Sequence, residues 1–165
     1  MSVLTIIISC QNEKYKLIEA KPTSEKKIQI SNWGLFEKEV FKTIDNLEKS
    51  DSKNRKFFVE KFLSYQNKVD GAVAEAYSNF AFEYVEDNTE DFFSVLESND
   101  SLLIKKWSEV SSSEIVLISE NKMEMDSIWT RIHENHFTKR AKLKPLKREL
   151  DLYYLIKLKE DVKKH

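Results

Sequence analysis

The sequence predicts an all-α fold, a compact multi-helix bundle of about six to eight short helices. Glycine and proline are scarce, two of each in 165 residues. Apolar residues recur three and four apart from Trp33 to Val162, the spacing of one helical face. Polar stretches with capping residues interrupt that pattern about every 12 to 20 residues, which favours short helices over a long coiled coil.

The elements follow in order. Phe36, Val40, Ile44 and Leu47 form a first stripe, widened by Trp33 and Phe41, before a charged break at residues 46–54. Phe57, Phe58, Phe62, Leu63 and Tyr65 mark a second helix. Asp70-Gly71 ends that pattern, and Asp70 is placed to cap a third helix carrying Val73, Ala76, Tyr77, Phe80, Ala81 and Tyr84. Its alanines permit close neighbours, so it is expected at the centre with Phe80 in the core. Asn88 precedes a helix with Phe92, Phe93, Val95 and Leu96, and Asp100 precedes one with Leu103, Trp107 and Val110. Ser111 to Glu114 has the capping-box pattern, predicting a fresh helix start before residues 115–118. Met125, Ile128, Trp129, Ile132 and His136 share one face of the next helix. Pro145 opens the last one, with Leu146, Leu150, Tyr154, Leu158 and Val162 spaced by four. Residues 152–156 are apolar all round, which predicts a helix sandwiched between neighbours with Tyr154 in the core.

The first 31 residues allow two readings. Residues 1–10 run apolar to a small residue and the lone cysteine, Cys10, and then turn abruptly polar. Ile7-Ile8-Ser9-Cys10 resembles the lipobox at the end of a bacterial lipoprotein signal peptide. The resemblance implies diacylglycerol on the Cys10 thiol and a bacterial cell-envelope location, membrane-anchored or periplasmic. The apolar run is about six residues, against roughly 7–15 for a usual leader core, and no Lys or Arg precedes it, so the leader is expected to start upstream of Met1. Residues 1–9 would then be a signal-peptide remnant, 10–31 a polar tether, and 32–165 the helical domain. In the other reading residues 3–8 form a buried strand, Ile6, Ile7 and Ile8 being β-branched, and pair with residues 14–20 or 26–31 in a small hairpin.

Chemistry-bearing patterns are few. A single cysteine excludes an intrachain disulfide and a cysteine-based metal site. Two glycines cannot build a P-loop, a Rossmann turn or a nucleophile elbow, and no cofactor-binding motif is present. His133 and His136 are candidate metal ligands, although their i, i+3 spacing differs from the i, i+4 of H-E-x-x-H and no third ligand lies nearby. Carboxylate pairs such as Asp87 with Glu90 are expected as solvated faces in a chain with 33% charged residues. Tyr65, Tyr77, Tyr84, Trp107 and Trp129 fit core stripes better than a ligand cage. Net charge is −1, yet residues 139–165 hold ten basic against four acidic side chains. The cluster Lys139, Arg140, Lys142, Lys144, Lys147 and Arg148 is expected to serve helix ends more than nucleic acid or lipid headgroups.

Two functions are therefore expected. One is a non-catalytic cell-envelope lipoprotein whose helical domain contacts an unknown protein partner. The other is a cytosolic inhibitor or immunity-type protein whose acidic body masks a basic partner surface.

Overall fold

The computed structural model describes residues 24–165, with side chains from residue 34 onward. Seven helices follow one another: α1 Ser24–Lys49, α2 Arg55–Leu63, α3 Gly71–Asp87, α4 Thr89–Ser94, α5 Ser101–Ile118, α6 Lys122–Arg140 and α7 Pro145–Val162. Among the described residues about four in five are helical and none is in a strand. No helix among them is long and apolar enough to cross a membrane. The lipobox-like segment, Cys10 and the strand at residues 3–8 lie outside the described residues. Residues 26–31, one of the expected strand partners, lie within α1, which starts eight residues before the expected start of the helical domain at residue 32.

The helix starts follow the capping residues, but the caps themselves differ. Asp70 sits at the N-cap of α3 in extended conformation without a side-chain bond to the helix. Gly71 follows at φ 50°, a left-handed conformation that a side chain would strain. Asp100 sits at the N-cap of α5, yet its carboxylate turns back to accept from the Glu97 N–H (2.8 Å) and from Lys56 (2.7 Å). Among the described residues the one closed side-chain N-cap is Asn121 on α6, accepting from Met123 and Glu124 N–H at 3.0 Å each, a helix start that the apolar spacing does not single out.

Ser111 to Glu114 does not start a helix: α5 runs unbroken through it. Ser111 and Ser112 are buried, and Ser112 and Ser113 donate back to the Glu109 carbonyl at 2.8 and 3.3 Å. A hydroxyl bonded to its own preceding turn leaves the helix intact and presents little volume to its neighbours. That small-residue seam fits the extensive packing of α5 against α7 and α3. The centre of the bundle is thus shared by α3 and α5. Phe80 of α3 is only half-buried at the core's edge, whereas Tyr154 is fully enclosed as expected.

An aromatic cluster fills the middle. Phe62 stacks on Tyr77 at 4.0 Å between centroids, and Trp107 lies 4.9 Å from Phe62 and 4.8 Å from Phe92. Such pairs contribute about 0.5–1.5 kcal/mol each beyond their area. Their polar ends are satisfied: Tyr77 Oη donates to the Phe62 carbonyl and Trp107 Nε1 to the Ala81 carbonyl, both at 2.8 Å. Two expectations of burial fail at the rim. Phe41 and Phe57 are exposed, and so are Leu152 and Ile156, so α7 keeps one face open instead of being covered all round.

Candidate functional site

The C-terminal end of α3, the second half of α6 and the first half of α7 meet around one histidine. His136 lies on the α6 face that also carries Ile132, and both side chains have no exposed surface. Its Nε2 is 2.8 Å from Glu86 Oε1 on α3, and its Nδ1 bonds Asp151 Oδ1 on α7. A carboxylate only accepts, so donation to both requires both ring nitrogens protonated: His136 is an imidazolium. Burial alone pushes its pKa down. The hydrogen bonds to Asp151 and Glu86, with their negative charges, outweigh burial and raise it to about 9.

The surrounding groups complete the network. Arg140 Nε donates to Asp151 Oδ2. Asn135 Nδ2 donates to Glu86 Oε2 at 2.7 Å and to the Glu86 carbonyl at 3.1 Å, and Lys139 donates to the same carbonyl. Two cations therefore face two carboxylates, while the α3 end receives the donors that a helix C-terminus lacks. The ring of Tyr154 stacks on His136 at 5.7 Å and Phe93 lies edge-on at 6.5 Å, closing the site to water. With both nitrogens engaged and no exposed atom, His136 is a fastener between helices rather than an available base.

The two candidate metal ligands part company here. His133 points to solvent while His136 is enclosed. Glu86 and Asp151 sit on opposite ring nitrogens, so they cannot share an ion with the imidazole. Among the described residues no group of three or more His, Cys, Asp or Glu side chains is placed to hold a metal.

Directly above the network, α3 and α6 form the walls of a groove of about 590 Å³. Phe82, Glu83, Glu86 and Asp87 line it from α3, and Arg131, Glu134, Asn135 and Thr138 from α6. Four carboxylates thus face one guanidinium, and Glu86 belongs to both the groove and the buried network. A second hollow, sharing Asp87, extends the acidic rim through Glu90 and Asp91 to Lys139 and Lys142.

The basic stretch after residue 138 turns inward. Beyond Lys139 and Arg140, Lys147 donates to the Leu96 carbonyl, and Arg148 to the Leu143 (2.8 Å) and Ala141 (3.2 Å) carbonyls. Four of the six cations of that cluster are therefore engaged by the chain's own carbonyls and carboxylates. Burial lowers the pKa of Lys147, outweighing the nearby Glu97 and Asp100 charges.

Two further polar pairs join helices: Ser78 Oγ with Glu114 (3.1 Å) between α3 and α5, and Ser108 Oγ with Asp161 (2.8 Å) between α5 and α7. At the α1–α2 contact, Tyr65 Oη donates to Glu39 at 3.0 Å beside Lys61. Hydrogen bonds from Tyr65 and Lys61 hold the Glu39 carboxyl below its ordinary pKa. Tyr65, Tyr77, Tyr84 and Trp107 are buried and Trp129 half-buried, each packed in or against the core. The chain matches no protein-family model, and no curated protein or solved structure matches it.

Proposed function

We propose that the helical domain is a non-catalytic interaction module that receives a basic segment of a protein partner in the α3–α6 groove. The observation that carries the reading is the groove's lining, Glu83, Glu86, Asp87 and Glu134 against Arg131 alone, over the apolar ring of Phe82. Such a surface attracts lysine- and arginine-rich chains and repels phosphate. The side chains with reactive potential support the same reading, because His136, Asp151 and Tyr154 are enclosed and occupied in holding helices together.

We propose the bacterial cell envelope as its setting, with a lipid on Cys10 anchoring the domain; the lipobox-like order of residues 7–10 supports this. The alternative is a cytosolic inhibitor or immunity-type protein, and the acidic groove suits it equally. Palmitate labelling and membrane fractionation of the protein made in its native reading frame separate the two settings. Incorporation lost in Cys10→Ser supports the anchor, and an intact soluble protein with a free Cys10 thiol refutes it. The groove is tested by calorimetry with an arginine-rich peptide. Binding that weakens with salt and is abolished by combined Glu83→Lys, Asp87→Lys and Glu134→Lys is the expected result. Equal binding by the variant rejects the groove.

A further inference from the structure

We propose that α6 is a latch: a helix held onto the bundle chiefly by the Glu86–His136–Asp151 contact, and able to undock while the rest of the fold stays closed. The contrast with its neighbours is large. Only Ile132 and His136 of its nineteen residues are buried, against seven of seventeen in α3, eight of eighteen in α5 and seven of eighteen in α7. Met125, Ile128 and Trp129 add half-buried contacts, and Met123 and Phe137 are exposed. Apolar burial is what gives a helix most of its hold in a bundle, and α6 has little.

What replaces it is ionic and polar. Undocking breaks the His136 bonds to Glu86 and Asp151, the Arg140 bond to Asp151 and the Asn135 and Lys139 bonds to Glu86. Every one of these groups regains water when the helix lifts. The return of solvation offsets much of the lost attraction, as it does for buried ion pairs generally. The pin is therefore a modest net hold on α6, small enough to be released without unfolding α3, α5 and α7. Residues 119–121 and 141–144 keep both ends attached, so opening is a local unfolding of one element. Resting on the groove reading, the latch also sets the distance between the groove's walls, because Glu86 is both a wall residue and the acceptor of His136. A cationic partner side chain that reached Glu86 would compete with His136 for it.

Hydrogen exchange read by mass spectrometry on the whole chain, without any ligand, tests this across a series of low urea concentrations. Peptides from α6 are expected to exchange about tenfold or more faster than those from α5 and α7, with a weaker urea dependence, the mark of a sub-global opening. His136→Gln should accelerate α6, and α5 by no more than the same factor, because the contact is broken both when α6 opens and when the whole chain unfolds. If α6 and α5 exchange at one rate with one urea dependence, or if His136→Gln leaves α6 exchange unchanged, the latch is refuted. Should that variant fail to fold, the wild-type urea series decides alone. With no ligand present, a failed latch leaves the groove reading standing, and a peptide that does not bind leaves the exchange result intact.

Discussion

Raising the pH from 6 to 9 is expected to remove about 3 kcal/mol of folding stability through His136 alone. The groups that face its ring are Glu86 from α3, Asp151 and Tyr154 from α7, and Phe93 from α4, with Arg140 and Lys139 beside them on α6. Burial opposes the charge, the two carboxylates overcome it, and the folded pKa lies at about 9 against 6.5 in the unfolded chain. A raised folded pKa stabilises the native state fully below the unfolded value, and that stabilisation is lost as the pH climbs through the folded one. At about 1.4 kcal/mol per unit, the shift corresponds to about 3 kcal/mol. Urea unfolding followed by far-UV circular dichroism at pH 6, 7, 8 and 9 measures it, below the range where burial-raised Tyr77 and Tyr154 ionise. Wild type should lose stability steeply while His136→Gln stays nearly flat. Parallel curves for the two proteins would show that His136 carries no structural charge.

Other substitutions probe the core and its seams by the same unfolding assay. Trp107→Ala should cost about 3–5 kcal/mol, and Phe80→Ala less because its ring is only partly buried against the core. Ser112→Leu should cost about 1–3 kcal/mol by overfilling the small-residue seam on α5, and an unchanged midpoint would mean that the seam has room. The Tyr154 hydroxyl is buried and makes no well-formed hydrogen bond, with only the buried Ser111 hydroxyl beside it, so Tyr154→Phe should change stability by less than about 1 kcal/mol. A large loss there would show that the Ser111 hydroxyl is a full hydrogen-bond partner of that oxygen.

The helices were legible because apolar spacing is a local property. Phe36, Val40, Ile44 and Leu47 report their face without reference to the rest of the chain, and Met125, Ile128, Trp129, Ile132 and His136 do the same for α6. Ser111 to Glu114 misled for an equally local reason. A serine that caps a helix and a serine that bonds back to its own preceding turn look alike in sequence, and only the packing of α5 against its neighbours distinguishes them. Leu152 and Ile156 misled because an apolar run states what a helix could bury and not whether anything covers it. The candidate site was half visible. His136 was placed on the correct face, but its partners lie 50 residues before it and 15 after it, among carboxylates too numerous to single out. The acidic groove is likewise a product of α3 meeting α6, with Glu83 and Asp87 brought against Glu134 by tertiary packing.

The proposed function turns on the groove as the surface that meets a partner. Titrating ¹⁵N-labelled protein with an arginine-rich peptide, and following backbone resonances residue by residue, tests that claim directly. Shifts are expected at Glu83, Asp87, Arg131, Asn135 and Thr138, saturating with peptide and disappearing in the Glu83→Lys, Asp87→Lys, Glu134→Lys protein. Resonances that stay still along α3 and α6, or shifts scattered over the surface and unaltered by the three substitutions, would contradict it.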